Sequence, residues 1–136
     1  MNVNFDTNIF VSGVFFHGAP HEILVAWGRG LLQLVVSQPI LDEYLRVGEE
    51  LSERFGRIEL KPVYEMVLAN GKIVIPRVKL NVVKDDPSDN KFLECALAAG
   101  GCPIVTGDGH LLKFDQFRGI PILKPRKFVD EFLKGI

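Results

Sequence analysis

Acidic side chains are the residues of this sequence whose placement could do chemistry. Asp6 directly follows the apolar run Val3–Phe5 in Phe5-Asp6-Thr7-Asn8, and Asp108 follows Ile104 and Val105 in Thr106-Gly107-Asp108. Ligands of open parallel α/β sheets gather at the carboxyl ends of strands, so these two acids take priority over the others. Asp after a strand also commonly caps the next helix, and capping alone accounts for either residue taken singly. Helical phase separates the remaining acids. Advancing about 100° per residue from Asp89 puts Phe92 at roughly 300°, Ala96 at 340°, Leu93 at 40° and Leu97 at 80°. Asp89 therefore falls in the middle of an apolar face, where a carboxylate is costly unless hydrogen-bonded, paired or bound to a cation. First-turn N–H groups and the helix macrodipole offset part of that cost. Glu94 lies at the edge of the same arc, either supporting the site or solvated. Over Ile40–Val47 the same wheel turns Asp42 and Arg46 outward and leaves Glu43 on the margin of the inward face.

Such carboxylates would repel one another if they converged without a counterion, and a divalent cation resolves the conflict. Oxygen-only ligation suits Mg²⁺ or Mn²⁺, which keep several waters and bind substrate phosphate oxygens. The implied chemistry is metal-assisted phosphodiester hydrolysis, in which one or two ions activate water and stabilise the leaving oxygen. His110, close behind Asp108, is either a proton shuttle for such a site or a surface histidine. Other chemistries lack their signatures. His17 and His21 bracket Gly18-Ala19-Pro20, which breaks the continuous helix that a zinc-binding His pair of this spacing requires. Cys95 and Cys102 fit neither a redox pair nor a zinc knuckle and read as free, buried thiols in a reducing compartment. No Walker loop, nucleophile elbow or dinucleotide fingerprint is present.

The elements that must position these acids alternate strand and helix. A first strand over Val3–Phe5 leads to a helix over Thr7–Phe15, and Pro20 opens a second helix ending near Gly28 or Gly30. Leu32–Val36 reads as a buried strand, and Ser37 as the N-cap of a helix carrying Ile40, Leu41, Tyr44 and Val47. Gly48–Gly71 holds one or two further helices closed at Asn70-Gly71. Ile73–Ile75 is a strand stopped by Pro76, and Val78–Val83 partly alternates. Asp86 as N-cap, Pro87 at the first helical position and Asp89 at the capping-box position predict one helix running to Ala99 before Gly100. Ile104-Val105 and Ile120–Leu123 are further strands, and Pro125 opens a last helix through Leu133. The pattern predicts an α/β fold, a three-layer α/β/α sandwich around a mainly parallel sheet.

Residues 1–136 read as one domain, long enough to bury a sizeable core without metal or disulfide staples. The 16 Lys and Arg against 17 Asp and Glu give a net charge of −1, which argues against a protein that grips a phosphate backbone with its whole surface. The first 68 residues hold 5 basic and 9 acidic side chains and the rest 11 and 8, so an anionic partner is sought in the second half. With no signal peptide and no apolar span of about 18 residues, a cytoplasmic protein with no membrane partner is expected. Phe15, Phe16 and Trp27 form a candidate dimer patch.

The strings Val3-Asn4-Phe5-Asp6-Thr7-Asn8, Ser37-Gln38-Pro39-Ile40-Leu41-Asp42-Glu43-Tyr44, Asp86-Pro87-Ser88-Asp89-Asn90-Lys91-Phe92-Leu93-Glu94-Cys95-Ala96 and Ile104-Val105-Thr106-Gly107-Asp108 together resemble a PIN domain. The resemblance spans the chain in order and looks closest to the prokaryotic single-domain toxin components of toxin–antitoxin pairs, related to VapC-type ribonucleases. It implies a Mg²⁺- or Mn²⁺-dependent endoribonuclease whose metal-binding acids are Asp6, Glu43, Asp89 and Asp108. It also implies that Asn8 and Thr106 orient the carboxylates or the attacking water. RNA is then the substrate, and a homodimer and a small antitoxin are the expected protein partners. Lys84, Lys91, Lys113 and Arg118 are candidate phosphate contacts, whereas Arg126 and Lys127 read as first-turn residues of the last helix. The competing expectation is a catalytically inactive PIN-fold module that binds nucleic acid or protein. A phosphoacceptor receiver domain also uses strand-end acids with Mg²⁺, but gives the inward Asp89 no role.

Overall fold

A computed structural model describes residues 1–55 and 59–134. In chain order these form β1 (Asn2–Phe5), α1 (Thr7–Phe15), α2 (Ala19–Gly28), β2 (Gln33–Val36), α3 (Gln38–Arg54), α4 (Lys61–Asn70) and β3 (Lys72–Ile73). There follow a 3₁₀ turn (Pro87–Asp89), α5 (Asn90–Ala98), β4 (Ile104–Val105), α6 (Gly109–Leu112), β5 (Gln116–Phe117), β6 (Ile120–Leu123) and α7 (Pro125–Phe128). A π-helical turn over Val129–Leu133 completes the last helix. The predicted helices after Gly48 correspond to the end of α3 and to α4, with positions 56–58 between them outside the described residues.

The sheet runs β3-β2-β1-β4-β6-β5, parallel throughout except where β5 pairs antiparallel with β6. Successive side chains of a strand point to opposite faces. Val3, Asn4 and Phe5 in β1 and Leu34, Val35 and Val36 in β2 are all fully buried, so helices cover both faces and the mixed α/β, PIN-like α/β/α architecture holds. On one face α5 packs on β1, β2 and β4 through Phe92, Leu93 and Ala96, while α1 packs against α2 and α3. Chain order reverses around β1, which has β2 on one side and β4 on the other. At such a switch point the loops beyond the carboxyl ends diverge and leave a crevice. Residues 6 and 106 leave adjacent strands there, because Phe5 is in register with Val105.

Tyr44 locks this corner. Its hydroxyl donates to the Phe5 carbonyl at 2.5 Å, and its buried ring stacks on Phe10 with centroids 4.2 Å apart. α3 is thereby fixed to the last residue of β1 and to the face of α1, so Glu43 is carried to a set place beside Asp6.

Several boundary expectations are corrected. Val78–Val83 is not a strand. Its backbone N–H groups bond to α5 side chains, Leu80 to Glu94 Oε2 at 2.9 Å and both Val82 and Val83 to Asn90 Oδ1 at 3.0 Å. The Ile73–Ile75 strand shortens to Lys72–Ile73, with one further bond from Val74 N–H to the Val36 carbonyl. The helix from Pro87 opens as a 3₁₀ turn, and Asp86 makes no side-chain cap but accepts from Ser88 Oγ at 2.9 Å. Ser37 sits at the N-cap of α3 without a side-chain capping bond. Trp27 is buried, its indole N–H donating to the Asn70 carbonyl, so it leaves the predicted aromatic patch. Phe16 is exposed there and meets Phe55 edge-on at 5.9 Å. Strand β5 was not anticipated. Arg118 and Gly119 both have positive φ, 49° and 82°, the two-residue reversal that suits a tight hairpin. Cys95 and Cys102 are free and buried as expected, and burial raises both thiols well above the usual range. No single helix among the described residues is long and apolar enough to cross a membrane.

Candidate metal centre

Asp6 caps α1 and also faces the crevice. Its Oδ1 accepts from the Ile9 N–H at 2.9 Å, and its Oδ2 accepts from the Thr106 hydroxyl. Thr106 Oγ1 in turn accepts from the Asp108 N–H at 2.9 Å, so one hydroxyl links the ends of β1 and β4. Asp108 likewise caps its own helix, Oδ1 accepting from the His110 N–H at 2.8 Å. Capping and site membership are therefore not alternatives, because each carboxylate serves both.

Asp89 enters from the third side, at the start of α5. It is only 8% exposed, and its Oδ2 is buried without a hydrogen-bond partner. One oxygen each from Asp86, Asp89 and Asp108, with a His110 ring nitrogen, lie within 4.8 Å of one another. Asp6, Asn8, Glu43, Asp86, Asp89 and Asp108 line a cavity of about 180 Å³. All four predicted acids thus reach one place, with Thr106 bonded among them and Asn8 exposed at the wall. Two residues read otherwise in the sequence join them: Asp86, taken for a helix cap, and Thr7, whose hydroxyl donates to Glu43 Oε2. Asp86 stands three residues before an inward acid, and that spacing was the available signal.

The predicted phosphate contacts disperse. Lys91 turns inward, its Nζ 2.8 Å from Glu43 Oε1 and 2.8 Å from the Ser88 carbonyl. Lys113 pairs with Asp85 at 3.1 Å, on the chain next to cavity-lining Asp86. Lys84 is exposed. Arg118 lies in the turn before β6, at the amino end of a strand that runs parallel to β4, and so at the opposite end of the sheet from the acids. Its guanidinium lies 5.0 Å from the Phe117 ring centroid. His21 Nδ1 lies 3.0 Å from the Gly13 carbonyl, a bond made within α1 and α2, and no metal-ligand group among the described residues includes either His17 or His21.

Electrostatics records the crowding. Burial pushes the Asp6 carboxyl up to about 6, against the Thr106 and Ile9 bonds, with Asp108 and Glu43 adding repulsion. Burial raises Asp89 further, and Asp108 reinforces it. Asp108, more exposed, is held below its usual value by the neighbouring Asp89 carboxyl and the His110 N–H. The pair therefore holds a shared proton or awaits a cation. Oxygen donors, a buried oxygen with no partner and raised carboxyls fit a hard divalent ion.

The profile of the PIN domain family matches residues 2–110. The chain belongs to the PIN domain family. Comparison with curated proteins gives no match. PIN domains are generally nucleases that use divalent metals, and the acids of this PIN domain all lie within the matched span, whereas Lys113 and Arg118 fall beyond it.

A pH dependence follows. Between the ordinary Asp value of 3.8 and about 6 the folded state keeps a proton on Asp6 that the unfolded chain has lost. Folded-state stability from this group is thus lost as pH rises through that window. A metal needs the charged form, so its stabilisation grows over the same window. Melting in EDTA should give a Tm that falls from pH 4 to pH 6.5, while the Tm gain from Mn²⁺ increases. A metal-free Tm that climbs over this range contradicts the assignment.

Proposed function

We propose that this PIN domain is a divalent-metal-dependent endoribonuclease that hydrolyses RNA phosphodiester bonds. We further propose that it acts in the cytoplasm as the homodimeric toxin of a type II pair, restrained by a small antitoxin. The observation that carries the metal-dependent part is Asp89: a buried carboxylate oxygen without a partner, against Asp108 and beside Asp6. Leaving such an oxygen bare costs on the order of several kcal/mol, which a bound cation recovers.

Asp6, Asp89 and Asp108 would hold Mg²⁺ or Mn²⁺, with Glu43 alongside. When bound, the ion lowers the pKa of water and stabilises charge on the phosphate. The protein's own groups do the rest. Thr106 fixes the Asp6 carboxylate and the Asp108 backbone at once. Ile9 N–H holds the other Asp6 oxygen, and His110 N–H holds one oxygen of Asp108. Locally charged walls, rather than a basic surface, suit a chain of net charge −1. The RNA and toxin parts rest on the four sequence motifs and their likeness to the VapC-type branch.

The test uses the purified chain with single-stranded RNA and with DNA of the same sequence. RNA cleavage in millimolar Mn²⁺, stopped by EDTA and sparing DNA, is expected. Saturable Mn²⁺ binding without cleavage of either would favour the inactive binding module instead. Co-expression with the protein encoded next to it should silence cleavage if the toxin reading holds.

A further inference from the structure

Among the described residues, Glu43 is the one acid of the cavity wall in direct contact with a lysine. Lys91 Nζ is 2.8 Å from its Oε1, and Thr7 donates to its Oε2. The two side chains are 15% and 18% exposed, so water screens their attraction poorly. Lys91 is fixed at its other side by the Ser88 carbonyl, and Arg46 Nη2 stands 3.9 Å from the same Glu43 oxygen. Among the described residues no lysine or arginine forms an ion pair with Asp6, Asp86, Asp89 or Asp108. The one cation partly buried against this wall, among the described residues, is committed to Glu43.

We propose that Glu43 and Lys91 form a neutral structural pair, so that Glu43 is a positioning residue and the divalent ion is held by Asp6, Asp89 and Asp108 without it. This rests on the metal-centre reading and divides its acids into two kinds. A carboxylate with an ammonium in contact has little net charge left to offer a divalent ion. The pair also has a mechanical role. Ser88 and Thr7 are the chain neighbours of Asp89 and Asp6, and the chain of bonds Ser88, Lys91, Glu43, Thr7 spans from one to the other. It ties the segments next to the two acids together in the metal-free state, and it turns Lys91 away from any phosphate.

The test is a double-mutant cycle read by calorimetric Mn²⁺ binding at pH 7.5, on the unmodified protein, Glu43→Gln, Lys91→Met and the double variant. Glu43→Gln leaves a lone ammonium by the site and should weaken binding roughly tenfold. Lys91→Met leaves a lone carboxylate and should tighten binding by a similar factor, with lower stability in the metal-free state. The double variant restores the charge balance and should bind within about threefold of the unmodified protein. Lys91→Arg keeps the pair and should keep the affinity. A double variant as weak as Glu43→Gln makes Glu43 a ligand and overturns the inference. So does a Lys91→Met affinity unchanged within twofold. Absence of saturable Mn²⁺ binding by the unmodified protein overturns the metal centre itself, a result distinct from the other two.

Discussion

Asp89→Asn is expected to melt at a higher temperature than the unmodified protein when both are free of metal, and to lose cleavage. The two effects have one cause. Near neutral pH the native Asp89 either carries a charge that its buried position disfavours or holds a proton it would otherwise release. An amide of the same shape needs neither, and its N–H₂ can donate toward Asp108. Relief of a buried, unpaired carboxylate is worth about 1–3 kcal/mol, or on the order of 5 °C for a domain of this size. The same change removes a negative oxygen from the proposed metal centre, where loss of even an outer contact commonly costs 10- to 100-fold in metal affinity or activity. Cleavage should fall by more than about a hundredfold, and Mn²⁺ should no longer raise the Tm. Thermal melts in EDTA and in Mn²⁺, with a gel assay on RNA, test all three. A metal-free variant less stable than its parent, or one with full activity, removes Asp89 from the centre.

Asn90→Ala should instead cost the protein stability. Asn90 is buried at the start of α5, and its side chain makes four backbone bonds: Oδ1 with the N–H groups of Val82 and Val83, Nδ2 with the carbonyls of Val83 and Pro87. It replaces a strand partner for residues that have none. Removing it strands buried donors at Val83 and frees the segment that delivers Asp86 to the cavity. Each unsatisfied buried group costs about 1–3 kcal/mol, so a total of about 2–4 kcal/mol is expected in urea unfolding, with the slope unchanged. A loss under about 1 kcal/mol would mean the segment is held by its apolar contacts instead. Weaker Mn²⁺ binding should accompany the destabilisation.

These two neighbours show what could be read from the chain. Asp89 was legible because a carboxylate among Phe92, Leu93 and Ala96 contradicts the helix around it. Strands β1, β2 and β4 were legible because apolar runs end abruptly at polar residues, and the parallel sheet places such ends together. Asn90 was not legible, since a polar residue in a first helical turn is ordinary and its partners depend on where residues 80–83 pass. That Val78–Val83 forms no strand escaped for the same reason, its hydrogen bonds going to side chains rather than to a sheet. Lys91 read as a candidate phosphate contact because a long flexible side chain has no phase, and only the position of Glu43 on α3 decides which way it turns. Arg118 failed on topology: a hairpin of two-residue strands reverses the chain and carries it to the other end of the sheet.

Thr106 and Asp6 meet across 100 residues of sequence, and that span bears on when the protein can act. During synthesis the first strand emerges well ahead of the hydroxyl that steadies Asp6 and the carboxylate of Asp108, which arrive only about 100 residues later. Until β4 slots in beside β1, the nascent polypeptide carries acids without a centre. The order of translation therefore withholds the assembled acids of this PIN domain until β4 is in place, and anything that binds them has its first opportunity only then.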